Sequence, residues 1–421
     1  MSNKVPTHLL DVTKRLSGPL KRYQPFIEHA LDGLFNRAAT FNSDGSVYIS
    51  TGDISAMWLR DSSFQIKPLL RFSKDAQVYA FCVGVIKQQA KYINIDPYAN
   101  AFNPEPNGNC WHKDFADQSP WVFERKWEID SLASFLDVSY LLTKFSGRKD
   151  HMDAAWHSAA ERALKTFQTE LNHKPESYQF VRPGAPAHDH LSHKGYGAPF
   201  ANIGLIWSGF RPSDDACELP FNIPQNAYAA ASLKNIARHL SADSKIAAKR
   251  LAKQITKAIK SHGSDRSGYW YEIDGLGNRI FLDDANIPSL LSLPYLGFTN
   301  SLDARYRKTR RRVLSSENPW FFEGSFASHI GSPHTGPGRI WPLAMAMEII
   351  TSPRLELRKL EALSASASAD YSFHESISAD DPTSITREWF SWADMTFVDA
   401  VFTTSERLNE SDADVTFLIA H

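Results

Sequence analysis

Three stretches set carboxylates and a guanidinium against aromatic rings. In "TGDISAMWLRDSS" (residues 51–63), Asp53, Arg60 and Asp61 lie among Ile54, Met57, Trp58 and Leu59 where a helix is expected to begin. Charges among such neighbours are costly unless paired or bound to a ligand, so the stretch reads either as a structural ion pair or as part of a polar site. In "GFRPSDDAC" (209–217), Asp214 and Asp215 are adjacent. Two carboxylates in a closed site do not both ionise cheaply, and one that keeps its proton near neutral pH suits the general acid for a glycosidic oxygen. The structural alternative is a surface turn or a helix cap. In "TREWFSWA" (386–393), Glu388 stands between Arg387 and Trp389-Phe390, with Trp392 following. A carboxylate held by Arg387 suits a base acting on water, or else forms an ion pair on an amphipathic helix. Glu375, in "YSFHESIS", is a rival for the base.

Two further stretches are weaker. "GSPHTGPGRIWPLAMA" (331–346) puts Gly331, Gly336 and Gly338 with His334, Thr335 and Arg339 ahead of a helix. Free N–H groups there suit an anion, but the spacing is not that of a phosphate-binding P-loop and no Lys follows. A turn that brings His334 and Arg339 to a sugar pocket is the better reading. "HDHLSH" offers His188, Asp189, His190 and His193, but Gly and Pro on both sides leave no helix to hold them as metal ligands. No metal or other cofactor is expected.

Bulk properties exclude several classes. The formal net charge of the 421 residues is -1, which gives no basic field for a nucleic-acid backbone. No apolar run approaches the roughly 18 residues that cross a membrane, and the first residues show no secretory pattern. The 3 cysteines, Cys82, Cys110 and Cys217, form no CxxC pair and suit a reducing compartment, so a cytoplasmic protein is expected. The 11 Trp, 14 Tyr and 26 Phe favour, though weakly, a ligand with apolar faces and hydroxyl edges, as a sugar has.

The elements that must hold these residues are mostly helices. Apolar positions recur three and four apart in Ile129, Leu132, Ala133, Leu136 and Tyr140, and again in Val78, Phe81, Cys82 and Val85. The same spacing marks Ala229, Leu233, Ile236 and Leu240; Ala248, Leu251, Ile255 and Ile259; and Ile340, Leu343, Met347 and Ile350. One β-hairpin is expected in "GYWYEIDGLGNRIFLDD", around Asp274-Gly275 and Gly277-Asn278. No strand–helix–strand alternation appears, which argues against a doubly wound sheet or a TIM barrel. No linker divides the chain, so residues 1–421 read as a single all-α domain. Long aromatic and charged loops at 94–127, 180–225 and 315–340 read as functional.

Taken together and in order, "TGDISAMWLRDSS", "WEIDSL", "GFRPSDDAC", "DDANIPSLLSLPYLG", "SPHTGPGRIWPLAMAMEI" and "TREWFSWA" resemble glycoside hydrolase family 125, from about residue 25 to 405. The resemblance implies an (α/α)6 barrel of six helical hairpins and a metal-independent, inverting exo-α-1,6-mannosidase acting on α-1,6-mannoside oligosaccharides. It implies Asp215 as general acid and Glu388 as general base, with Asp214 and Glu375 as the alternatives, and Arg60 and Asp61 as the grip on the terminal mannose. Trp58, His334, Arg387 and Trp389 are expected around the same sugar, with Trp341 alongside. Inversion leaves room for a water between the carboxyls, so a separation of roughly 6.5–9.5 Å is expected. The alternatives are a glycoside phosphorylase using the 331–339 turn for phosphate, and a mannoside-binding protein without turnover.

Overall fold

Apolar side chains three and four apart build helices where the sequence places them, in a computed structural model that describes residues 4–115 and 117–419. Ala76–Ile95 starts on Asp75, whose carboxylate accepts from the Gln77 and Val78 amides, an N-cap that satisfies donors the helix leaves free. Ile129–Ser146 stops at Gly147, where φ is 75° and only glycine sits without strain. Ala242–Ser261 buries Ala248, Leu251, Ala252, Ile255, Ala258 and Ile259 on one stripe and turns its lysines to water.

The helices are of two kinds. Leu59–Ile66 and Ile223–Ile236 are buried on almost every side, as is most of Ile129–Ser146 and Pro342–Ile350. Amphipathic helices such as Ala76–Ile95, Ala154–Glu170, Ala242–Ser261, Ala304–Val313 and Leu357–Ser364 fall between them in the chain. Leu59–Ile66 packs on Ile129–Ser146, and that helix on Ile223–Ile236. Pro342–Ile350 packs on Ser391–Ile419, which also contacts Leu59–Ile66 and Gln24–Asp32. A continuous hydrophobic core joins these elements. Between Arg279–Ile280 and Ala304–Val313 the chain makes turns rather than a helix, and the Asp283 carboxylate accepts from the Leu290 and Leu291 amides there.

The expected hairpin is present as Glu272–Ile273 against Arg279–Ile280, but it is one part of a larger pattern. Five small sheets occur among the described residues, built of strands two or three residues long. Met57–Trp58 pairs with Ala101–Phe102, Phe221–Asn222 with Glu272–Ile273, and Arg339–Ile340 with Ser376–Ser378. Each of the first strands in these pairs runs straight into a buried helix. These short ladders therefore fix the N-terminal ends of the buried helices, and the loops that meet there. No described helix is long and apolar enough to cross a membrane.

Candidate active site

A cavity opens at those helix starts. Trp58, Trp341, Phe390 and Trp392 give it aromatic walls, and Arg60, Asp61, Asp214, Glu375 and Arg387 give it charge. Arg60 sits in the first turn of Leu59–Ile66 and is 3% exposed, so its charge depends on its partners. Its Nη1 lies 2.6 Å from Glu128 Oε2 and 3.4 Å from Asp130 Oδ2, and its Nη2 3.1 Å from Asp214 Oδ1. The expected Arg60–Asp61 contact exists at 3.4 Å, but Asp61 makes its hydrogen bond to the Thr51 hydroxyl. Burial alone would lower the guanidinium pKa; Glu128, Asp214, Asp130 and Asp61 outweigh it and hold Arg60 charged. Burial raises the Asp61 carboxyl, against the pull of Arg60 and Thr51.

The two aspartates of "PSDDA" part company. Asp214 has a φ of 67°, in the left-handed region, where a non-glycine residue is held at a cost and commonly for function. Its side chain lines the cavity. Asp215 is 2% exposed and does not line it: Oδ1 lies 3.1 Å from His334 Nδ1, and Oδ2 has no partner. It is thus Asp214, the alternative, and not the expected Asp215 that lines the cavity, because successive side chains around this tight turn diverge. His334 lines the cavity as expected. Burial disfavours its charge, but the hydrogen bond and charge of Asp215, with Glu375 and Asp214, push it up to about 9. Burial would also raise Asp214, yet the Arg60 guanidinium, a hydrogen bond from Glu128, Lys126 and His334 together hold it below the usual carboxylate range.

The two candidate glutamates divide in the same way. Glu388 is exposed and absent from the cavity lining, whereas Glu375 lines it. Ser376–Ser378 pairs with Ile385–Thr386, so Glu375 and Arg387 leave the same end of this hairpin side by side. Arg387 Nη1 is 3.7 Å from Glu375 Oε1, while Nε and Nη2 hold Asp53 Oδ1 at 2.8 and 2.5 Å. Arg387 faces the cavity, and its neighbour Glu388 projects away. Trp389 is placed elsewhere. It is buried outside the cavity, its Nε1 donating 2.8 Å to Asp394 Oδ2 and its ring covered by Arg37 at 4.0 Å. Phe390 and Trp392 take the place expected for it.

Several lining residues carried no sequence signal of their own. Asn286, Thr51, Ser213, Ile54 and Pro212 all face the cavity. Asn286 lies within "DDANIPS", where Asp284 Oδ1 accepts from its Nδ2 at 3.0 Å; the motif was visible, the role was not. Glu128 stood in plain view in "WEIDSL" and is fully buried against Arg60. Arg339 is not at the cavity: Nη1 donates to the Ser384 carbonyl at 3.1 Å, which weakens a phosphate reading of the 331–339 turn. Asp189 is taken by Lys126 at 2.7 Å and Arg182 at 2.7 Å, cations that disfavour a metal ion. Two separately supported carboxylates, a guanidinium and flat aromatic walls suit acid–base cleavage of a hydroxylated substrate.

Comparison with known proteins places the chain in a family. Residues 22–402 match the family described as metal-independent alpha-mannosidase (GH125). The meiotically up-regulated gene 157 protein of Schizosaccharomyces pombe is 34% identical over 439 residues, covering 96% of this chain and 86% of that protein. A metal-independent alpha mannosidase of Streptococcus pneumoniae, solved as a non-productive complex with alpha-1,6-mannobiose, superposes with a TM-score of 0.90 at 37% identity. That match covers 96% of this chain and 98% of the other. A bacterial glucoamylase shares the fold at a TM-score of 0.56 and 14% identity, over 94% of this chain and 57% of that one.

Proposed function

This chain belongs to the GH125 metal-independent α-mannosidases and is a glycoside hydrolase, and from that premise we propose that it removes terminal mannose from α-1,6-linked mannosides with inversion. The observation that carries the assignment is a single cavity lined by Asp214 and Glu375 together with Arg60 and Asp61. Support for the linkage comes from the Streptococcus pneumoniae relative, which binds alpha-1,6-mannobiose. The alternating buried and amphipathic helices are proposed to close as an (α/α)6 barrel, with the cavity at the N-terminal ends of the inner helices.

In this reading the terminal mannose lies against Trp58 and Trp392, with hydroxyls on Arg60, Asp61 and Asn286. Asp214 protonates the leaving 6-oxygen as the C1–O6 bond breaks. Glu375, held by Arg387, takes a proton from a water whose oxygen attacks C1 from the opposite face. His334, charged through Asp215, borders the leaving group and compensates the negative wall. Three thiols outside any disulfide support a cytoplasmic enzyme.

The test is hydrolysis of α-1,6-mannobiose with EDTA present and phosphate absent, followed by proton NMR. β-Mannose appearing first is the expected result. Turnover only with phosphate would instead indicate a phosphorylase, and binding without turnover a non-catalytic mannoside receptor; either result overturns the proposal.

A further inference from the structure

Asp214 has to deliver a proton, yet Arg60, Lys126 and His334 favour its ionised form. Glu128 lies directly behind it, fully buried just ahead of the first turn of Ile129–Ser146. Its Oε2 accepts from Arg60 Nη1 at 2.6 Å and from the Ser131 hydroxyl at 3.2 Å, and its Oε1 from Asn100 Nδ2 at 3.3 Å. The same Asn100 amide reaches Asp214 Oδ1 at 3.3 Å, and Arg60 Nη2 reaches it at 3.1 Å. The two carboxyls thus share both donors and lie side by side. Two carboxylates held this close repel, and the repulsion is relieved when one of them carries a proton.

Charge counting places that proton. Arg60 faces Glu128 from Leu59–Ile66, with Asp61 against the same guanidinium, Asp130 from its own helix, and Asp214 and Cys217 from the 204–222 loop. One guanidinium therefore meets four carboxylates, three of them buried and the fourth, Asp214, at the cavity wall. The next cation, Lys126, is already engaged by Asp189 at 2.7 Å and Glu124 at 3.4 Å. Such an excess of buried negative charge is relieved by protonation. Burial, with Asp214 and Asp130 beside it, raises Glu128 well above the ordinary carboxyl range despite Arg60.

We propose that Glu128 stores the proton that Asp214 delivers, so that the general acid of this enzyme is a Glu128–Asp214 dyad. This rests on Asp214 being the acid. The proton passes from Glu128 to Asp214 and from Asp214 to O6, which takes the electron pair of the breaking C1–O6 bond. Glu128 is left as a carboxylate against Arg60. After the products leave, solvent returns one proton to the dyad and Glu375 releases the one it took from water, so the cycle closes. Glu128 is a positioning and proton-storing residue; it does not touch the sugar.

The experiment compares wild type, E128Q, E128D and D214N on α-1,6-mannobiose and on α-mannosyl fluoride, whose leaving group needs no proton. Gln keeps the volume and an N–H donor toward Asp214 but has no proton to give. E128Q is expected to lose about 10²-fold or more in kcat on mannobiose, the scale of general-acid assistance. Its KM, and its turnover of the fluoride, stay within roughly threefold of wild type. The alkaline limb of its kcat/KM profile moves to lower pH, because Asp214 alone holds a proton poorly. E128D keeps a transferable proton and is expected to recover part of the mannobiose activity. Equal loss on both substrates, or normal mannobiose turnover, in E128Q overturns the proposal; should E128Q not fold, equal losses on both substrates in E128D do the same. D214N serves as the separate control: if it cleaves mannobiose normally, the acid assignment itself fails, whatever Glu128 does.

Discussion

Which carboxylate faces the substrate is decided by the direction of one backbone step. Asp214 and Glu375 line the cavity; Asp215 and Glu388 do not, although either choice satisfies the motifs equally well. E375Q is therefore expected to lose about 10³-fold or more in kcat on both mannobiose and mannosyl fluoride, since water activation is common to the two. E388Q is expected to stay within roughly twofold, as an exposed substitution away from the site. Steady-state kinetics on the pair settle it, and a crippled E388Q alongside an active E375Q would restore the first assignment. Asp215 has a different task. D215N removes the anion that holds His334 up at about 9, so the imidazole is expected to titrate closer to its ordinary value, which histidine NMR measures directly. Sequence showed the chemistry available at Arg60, Asp61, His334 and Arg387. It could not separate adjacent acids, because side-chain direction at a tight turn or a strand end depends on φ and ψ, as at Asp214 and Arg387 with φ of 67° and 53°.

At the scale of elements, the hairpin that brings Glu375 and Arg387 to the cavity is tied to the "TGD" loop by backbone. Gly52 bridges Phe390, and the Asp53 amide donates to the Trp389 carbonyl at 3.2 Å. Gly52 has a φ of 127°, and a Cβ there would come within 2.5 Å of the Trp389 oxygen. Neither the conformation nor the space admits a side chain. G52A is expected to cost about 1–3 kcal/mol through strain and to pull Asp53 from Arg387, which loosens Glu375. Activity should fall at temperatures where circular dichroism still shows a folded protein; a G52A enzyme with wild-type kcat would mean the loop does not position the base. The long helices were legible because a buried stripe repeats over three or more turns, as in Ala242–Ser261. The short sheets were not. A strand such as Met57–Trp58 has no alternation to read, and its partner, Ala101–Phe102, is set by the tertiary fold.

Over the whole molecule, the site gathers negative charge at the starting ends of buried helices, where the helix dipoles favour it. The same crowding sets how stability responds to pH. Asp130 is raised to about 6, by burial against the pull of Arg60, and Asp394 to about 7, also by burial. A carboxyl raised on folding binds its proton more tightly in the native state, so its contribution is complete below pH 4 and is lost as pH rises through 6 or 7. His334, raised to about 9, gives up its contribution between its ordinary value near 6.5 and 9. Glu348 runs the other way. Burial would raise it, but His329 and Lys359 bring it down to about 2, so its contribution is present above 4.5 and lost toward pH 2. The upward-shifted groups act over most of the range from pH 4 to 9; Glu348 and Asp214, held down, act only below it, and His151, which burial lowers to about 4, offsets part of the trend between 4 and 6.5. Calorimetry across that range should therefore find the highest Tm in mildly acidic solution, near pH 5, and a steady decline toward pH 9. The decline should be shallower in H334Q above pH 6.5, because that variant has no imidazolium left to lose. A Tm that rises from pH 5 to 8 would mean that these buried acids are ionised in the native state, and that the proton assigned to the carboxylate cluster is not there.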